Sequence, residues 1–251
     1  RIVHAGRPDV VVGTGGYASG AALAYAVTHG VACVIQEQNR FPGLTTRFFS
    51  RYARQIHLGF PEAAAKLHPG KRTTVMDSGN PIEPPSEPRP DRQIARESWG
   101  FPSLGGRVML IYGGSQGSKA INDVVARWVV SGIPDDLYII WATGRGTHAS
   151  YSSLENGRVR ITPYLSPVYE AYAASDFALS RGGAMATAEL CSWGIPPIVV
   201  PLPTAAADHQ TANARALASA GAGEMIRQND LTPQSLDAAV RRIVEDPSVL
   251  A

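Results

Sequence analysis

The sequence predicts an α/β protein with two parallel sheets, and three features carry that expectation. Short β-branched apolar runs alternate with helical stretches of about ten to fifteen residues. Glycine-rich turns follow several of those runs directly, and a proline-dense segment at 79–90 separates two blocks in which the alternation starts afresh. Strands alternating with helices imply right-handed crossovers in parallel sheets, so the expected architecture is two Rossmann-like domains, one on each side of the break.

The first block opens with a strand at 9–12, passes through the turn GTGGYASG at 13–20 and continues into an Ala-rich helix at 21–27. A second strand at 31–36 ends in EQN at 37–39. The spacing of 43–56 reads as a helix, with Phe48, Phe49 and Tyr52 among Arg47, Arg51 and Arg54. At 79–90 the text GNPIEPPSEPRP has five prolines in twelve positions, which removes backbone donors and forbids a regular ladder. The expected division is a partial N-terminal domain over 1–80, a proline-rich linker over 81–104 and a C-terminal domain over 105–251. In the second block, strands are expected at 108–112, 138–142, 158–165, 177–180 and 198–202, and helices at 118–130, 167–175, 184–193, 208–220 and 233–245. The first block holds at most two such strands, where a doubly wound sheet needs four or more, and the chain ends at Leu250 and Ala251 directly after a helix. The expectation is an incomplete N-terminal domain in a chain truncated at both ends.

Composition narrows the function. With 44% hydrophobic and 18% charged positions, the 251 residues can bury a sizeable core, which excludes disorder and coiled coil. The net charge of +2 supplies no bulk field for a nucleic-acid backbone, so no nucleic-acid partner is expected. Cys33 and Cys191 are the only cysteines; they lie far apart in apolar sequence, which suits a reducing compartment and offers no metal-ligand spacing. No run of about 18 apolar residues is present for a membrane span, and no signal-peptide pattern opens the chain.

Three turns carry the candidate chemistry. In open parallel sheets ligands sit beyond the carboxyl ends of the strands, where helix N-termini offer N–H groups and partial positive charge to an anion. GTGGYASG at 13–20, GGSQG at 113–117 and RGGAMATAE at 181–189 all follow predicted strands. The first also fits a dinucleotide fingerprint through Gly13, Gly15 and Ala18, with Glu37 at the end of the next strand, which keeps an NAD-binding oxidoreductase open as an alternative. In the third, Glu189 falls in the second turn of the helix, where a carboxylate can accept hydrogen bonds from two vicinal ribose hydroxyls. Asp208, His209 and Gln210 open the following helix as a polar cluster suited to sugar hydroxyls.

In order along the chain, GTGGYASG, EQNRFPGLT, GNPIE, GGSQGSKAIN, SRGGAMATAELCSWG and IVVPLPTAAADHQTANARAL resemble the MurG family, undecaprenyldiphospho-muramoylpentapeptide β-N-acetylglucosaminyltransferases of bacterial cell-wall synthesis. The resemblance covers about 8–245 and implies a GT-B fold, in which a nucleotide sugar is held mainly by the C-terminal domain. It implies that Ser115 contacts the donor diphosphate and that Leu165 meets uracil through its backbone. Ala184, Met185, Ala186, Thr187 and Ala188 are implied to run beneath the phosphates and sugar, and Glu189 to take the ribose. Gln210 is implied to bind hydroxyls of the GlcNAc ring, Asn39 to lie near the transferring sugar, and Gly15, Gly16 and Tyr17 to face the acceptor diphosphate. The chain departs from the family at Gln36, where His is usual, at Glu83, where Arg is usual, and at Ala186, where Thr is usual, with Thr187 one place later. The family's first glycine-rich turn, with its histidine, has no counterpart.

The reaction implied is transfer of GlcNAc from UDP-GlcNAc to the MurNAc 4-hydroxyl of lipid I, the undecaprenyl-diphosphate-linked MurNAc-pentapeptide, with inversion and release of UDP. Helix N-termini can stabilise the leaving diphosphate, so no metal and no cofactor is expected. No residue is assigned as the general base. His209 reads as a capping or packing side chain, Glu37 as a base or a buried structural carboxylate, and His4, His29, His57, His68 and His148 have no ligand spacing. The resemblance further implies peripheral attachment to the cytoplasmic face of the bacterial inner membrane, and the aromatic and basic mix of 40–56 is the candidate contact, with a core role for its aromatics as the alternative. Another GT-B protein, a lipid glycosyltransferase or a UDP-GlcNAc epimerase, is a further alternative. A truncated chain is expected to hold UDP through its C-terminal domain without transferring sugar.

Overall fold

The computed structural model describes residues 8–246; His4, Leu250 and Ala251 lie outside the described residues. The chain forms two compact units. One runs through Pro81 and takes in Thr204–Asn213, and the other comprises Ile82–Pro203 and the chain from Ala214 onward.

In the first unit, β1 (Val10–Gly13), α1 (Gly16–Thr28), β2 (Ala32–Glu37), α2 (Leu44–Phe49), β3 (Gln55–Leu58) and β4 (Thr74–Asp77) build a parallel sheet in the order β1-β2-β3-β4. Leu23 and Ala26 from α1, Cys33 and Ile35 from β2, Phe49 from α2, and Ile56 and Leu58 from β3 form its core. The sheet therefore has four strands where the sequence suggested two. The stretch 43–56, expected as one helix, is a short helix that stops at Phe49 and a strand that starts at Gln55. The period misled because β3 buries only Ile56 and Leu58 while His57 and Gln55 face outward, and four residues are too few to establish alternation. Every residue of β4 is exposed or half-buried, as suits an edge strand, so it lacks the apolar run that marks a buried one.

The second unit begins within the expected linker. Its proline-dense part has no regular structure, but α3 (Arg92–Ser98) folds at 92–98, capped by Asp91, whose carboxylate accepts from the amides of Gln93 and Ile94. There follow β5 (Arg107–Tyr112), α4 (Lys119–Ser131), β6 (Leu137–Ala142), β7 (Val159–Thr162), α5 (Val168–Ala174), β8 (Phe177–Ser180), α6 (Ala184–Trp193), β9 (Pro197–Val199), α7 (His209–Ser219), which up to Asn213 belongs to the first unit, β10 (Glu224–Met225) and α8 (Pro233–Glu245). Its six parallel strands lie in the order β10-β9-β8-β5-β6-β7. Strand succession reverses between β5 and β8, which makes their carboxyl ends the topological switch point. Tyr112 and Ser180 are paired across it.

Side-chain alternation along β5 divides the core. Met109 and Ile111 point to one face, with Ile121, Val125 and Trp128 of α4 and Leu236, Val240 and Ile243 of α8. Val108, Leu110 and Tyr112 point to the other, with Ala171 and Tyr172 of α5, Leu190 of α6 and Ala95 of α3. Both faces are thus covered by helices, and β8 is buried along its whole length.

One buried carboxylate ties α3 to this sheet. Asp176 accepts from Arg96 at 2.6 Å, from Arg92 at 3.0 Å and from the Val108 amide at 2.7 Å, with Arg107 at 3.7 Å. Arg96 is buried and Arg92 is exposed. Removing the carboxylate leaves a buried guanidinium and an amide unpaired, so Asp176→Ala is expected to lower stability by about 3 kcal/mol in urea titration. Arg92→Ala is expected to cost less than about 1 kcal/mol, because solvent screens that ion pair.

Candidate functional site

The site is built from two loops that leave neighbouring strands. From Tyr112 at the end of β5 the chain turns through Gly113–Gly117 into α4, and from Ser180 at the end of β8 it turns through Arg181–Gly183 into α6. The first turns of both helices leave backbone N–H groups without intrahelical acceptors, which suits an anion. Gly117 has φ +76°, and a Cβ there would overlap the Thr143 carbonyl, so only glycine lets this turn lie against the end of β6. The turn is held there by Asn122 of α4, whose amide nitrogen donates to the Thr143 carbonyl at 2.7 Å and whose oxygen accepts from the Trp141 indole at 3.0 Å.

Arg181 joins the two loops. Its guanidinium donates to Ser118 Oγ, the N-cap of α4, at 2.6 Å, to Gln228 Oε1 at 2.7 Å, and to the carbonyls of Val200 and Pro201 at 3.2 Å each. It is buried, and burial lowers its pKa from the ordinary arginine value. Among the described residues it makes no ion pair with a carboxylate. A guanidinium stays charged in proteins, so a fixed positive charge lies between the two turns with only neutral partners.

Between these loops lies a cavity of about 380 Å³ lined by Ser115, Leu165, Met185, Ala186 and Glu189, with Tyr112 and Tyr172 in its wall. Five of the residues expected at the donor site are therefore brought together within one unit. Ala184 is buried and Ala188 half-buried, and neither lines the cavity. Thr187 is a clearer departure: it is 1% exposed and its hydroxyl donates to the carbonyls of Gly183 and Ala184 at 3.0 and 3.1 Å. One residue along a helix rotates a side chain by about 100°, so a hydroxyl displaced from 186 to 187 points into the helix packing and is lost to the cavity.

Glu189 accepts a 2.7 Å hydrogen bond from the Tyr172 hydroxyl, which lies 3.4 Å from that of Tyr112. Burial pushes both phenols above the ordinary tyrosine value; the neighbouring Tyr112 and Glu189 raise Tyr172 further. A second cavity of about 460 Å³ shares Val168, Tyr172 and Glu189 with the first and adds Tyr169, Trp193 and Glu83. Sequence reasoning missed Tyr112, Tyr172 and the role of Arg181. The position of Tyr112, last in a strand before a glycine turn, was the signal available; for Tyr172 there was none.

Asn39, Gln210, Gly15, Gly16 and Tyr17 belong to the first unit. Gly15, at φ +89°, caps α1, whose first residues are Gly16 and the 83%-exposed Tyr17. The helix thus starts inside the stretch expected to be a turn. Gly16, Tyr17, Asn39 and His209 line one cavity of about 380 Å³. Gln210 follows His209 in the first turn of α7. His209 Nδ1 lies 2.6 Å from the Ala206 carbonyl, in line with a capping role. Glu37 is buried: Oε1 accepts from the Asn39 amide and side chain, and Oε2 from the Gly43 amide. It shapes the EQN loop, in line with the reading of Glu37 as a buried structural carboxylate. Gln36 donates to the Gly79 carbonyl at 3.3 Å.

The chain matches the family model of the glycosyltransferase family 28 C-terminal domain over residues 108–251 and that of the family's N-terminal domain over 1–58. The UDP-N-acetylglucosamine–N-acetylmuramyl-(pentapeptide) pyrophosphoryl-undecaprenol N-acetylglucosamine transferase of Prosthecochloris aestuarii is 38% identical, covering 99% of this chain and 67% of the relative. The transferase of the same name from Salinibacter ruber is 41% identical, covering 92% and 62%. The chain spans about two thirds of the length of the curated relatives it matches. Among solved structures, MurG of Acinetobacter baumannii superimposes with a TM-score of 0.76 at 27% identity, covering 100% of this chain and 69% of that one. A calicheamicin glycosyltransferase at 17% identity and a TM-score of 0.62 shares the fold alone. The fold is of the GT-B glycosyltransferase type. The chain belongs to glycosyltransferase family 28 and, within it, to the family of UDP-N-acetylglucosamine–N-acetylmuramyl-(pentapeptide) pyrophosphoryl-undecaprenol N-acetylglucosamine transferases.

Proposed function

We propose that this chain binds UDP-GlcNAc and serves transfer of its GlcNAc to the 4-hydroxyl of N-acetylmuramic acid in lipid I, forming lipid II for peptidoglycan. The observation that carries the reading is the convergence at one switch point of two helix starts, Glu189 and a buried Arg181 whose four hydrogen-bond partners are all neutral. The acceptor hydroxyl oxygen forms a bond to the anomeric carbon from the face opposite the leaving group. The bond from that carbon to the diphosphate oxygen breaks, UDP departs with the electron pair, and the hydroxyl proton passes to a base.

Negative charge grows on the leaving diphosphate in this step. Preorganised amides at the starts of α4 and α6 and the fixed charge of Arg181 stabilise it without reorganisation. Ser115 and the α6 start serve the diphosphate, the Leu165 backbone the uracil, and Glu189 the ribose. Asn39 and Gln210 serve the GlcNAc ring, and Gly15, Gly16 and Tyr17 the acceptor diphosphate. Glu83, an exposed carboxylate, supplies no cation to the phosphates.

UDP is expected to raise the thermal unfolding midpoint of the chain, and NAD to leave it unchanged; stabilisation by NAD and not by UDP would contradict the reading. Ala186 faces the cavity, so Ala186→Thr restores a hydroxyl there and is expected to tighten UDP about fivefold by calorimetry. Thr187→Val is expected to leave that affinity unaltered.

We also propose peripheral contact with the cytoplasmic face of the bacterial inner membrane. Among the described residues no helix is long and apolar enough to cross a membrane. Around α2, Leu44, Phe48 and Tyr52 are 63%, 56% and 48% exposed, so these side chains are not core, whereas Phe49 is. The Arg51 guanidinium lies 5.8 Å from the Phe48 ring centre and 5.9 Å from that of Tyr52, an arrangement suited to an anionic leaflet. Vesicles containing anionic lipid are expected to recruit the protein in sedimentation assays, and Arg47→Glu with Arg51→Glu to weaken recruitment by about tenfold. Equal recruitment of the double variant would remove this surface from the account.

A further inference from the structure

We infer that Tyr112 and Tyr172 form a positioning pair that pins the Glu189 carboxylate toward vicinal hydroxyls, and so makes the cavity select a ribonucleoside diphosphate over its 2′-deoxy counterpart. The inference rests on the proposed role of Glu189 as the ribose acceptor.

Hydrogen-bond arithmetic fixes the direction of the pair. A carboxylate only accepts, so the 2.7 Å contact commits the Tyr172 proton to Glu189 Oε2. A phenol has one proton, so Tyr172 can only accept from Tyr112, 3.4 Å away. Both phenols are buried, at 3% and 8% exposure, and the rings meet edge to face with centres 6.5 Å apart. Tyr172 packs on its other side against Trp193, with ring centres 5.7 Å apart. The hydroxyl that holds Glu189 is therefore itself held by packing on both sides. Its pKa is raised by burial, by Tyr112 and by Glu189, so the proton stays in place throughout the neutral range.

The second cavity explains why pinning matters. Glu189 lines both cavities, and the one of about 460 Å³ gives an unpinned carboxylate somewhere else to go. There it would be solvated and would lose its grip on the nucleotide. With Oε2 fixed, Oε1 has no protein donor among the described residues and remains for a ligand hydroxyl. A site built to satisfy a hydroxyl rejects the analogue lacking it, because its own polar group is then left unpaired.

Calorimetric titration of UDP and 2′-deoxy-UDP into the chain and its variants tests the inference. The unaltered chain is expected to bind UDP about tenfold more tightly than 2′-deoxy-UDP, and Glu189→Gln to erase the difference. Tyr172→Phe is expected to shrink the ratio below about threefold by weakening UDP while sparing 2′-deoxy-UDP, which a general packing defect would not do. Tyr112→Phe is expected to act in the same direction by a smaller factor, and it decides the matter should Tyr172→Phe fail to fold. An unchanged ratio in the tyrosine variants, with the ratio lost in Glu189→Gln, would overturn the positioning pair alone. No discrimination by the unaltered chain, or full discrimination by Glu189→Gln, would overturn the ribose assignment and the inference with it.

Discussion

The strand β8 carries a buried charge at each end, and the rest of the second unit is arranged around that fact. At its amino end Asp176 is surrounded by three arginines and a backbone amide. At its carboxyl end Arg181 has only neutral partners. Burying an ion without a counter-ion is costly, and here four neutral acceptors offset part of that cost. The unbalanced end is also where strand order reverses and two helices begin, so sheet topology, backbone dipoles and side-chain charge all favour an anion at the same place.

Precision at that place comes from packing that reaches well behind it. Gly117 lets the first turn lie on the end of β6, Asn122 fastens it there through Trp141 and Thr143, and Ser118 receives Arg181 from the neighbouring loop. On the opposite side of the cavity the tyrosine pair does the same for Glu189. The groups proposed to meet the diphosphate and the ribose are thus held in position by their own hydrogen bonds and packing, which is what electrostatic stabilisation of a departing diphosphate requires.

Much of this was legible in the sequence, because the informative signals are local. The buried strands at 108–112 and 177–180 are marked by the apolar runs VMLIY and FAL, and glycine-rich turns follow them closely, so the two loops at the switch point could be read directly. Ser115, Leu165, Met185, Ala186 and Glu189 follow from motif positions and meet in one cavity. What escaped depends on rotation or distance. β3 and β4 are too short and too polar to show a period, and α3 hides behind the prolines because its partner, Asp176, is some eighty positions away. Thr187 needed the phase of a helix, Glu37 needed the geometry of its loop, and Tyr172 needed the packing of α5 against α6.

The central claim is that UDP lies at the carboxyl ends of β5 and β8, with its diphosphate over the starts of α4 and α6. A crystal structure of the chain with UDP tests it most directly. The expected result is phosphate oxygens within hydrogen-bond distance of Ser115 and the α6 amides, and ribose hydroxyls on Glu189. Nucleotide bound at another place, or ribose turned away from Glu189 while the diphosphate occupies the switch point, would contradict the account.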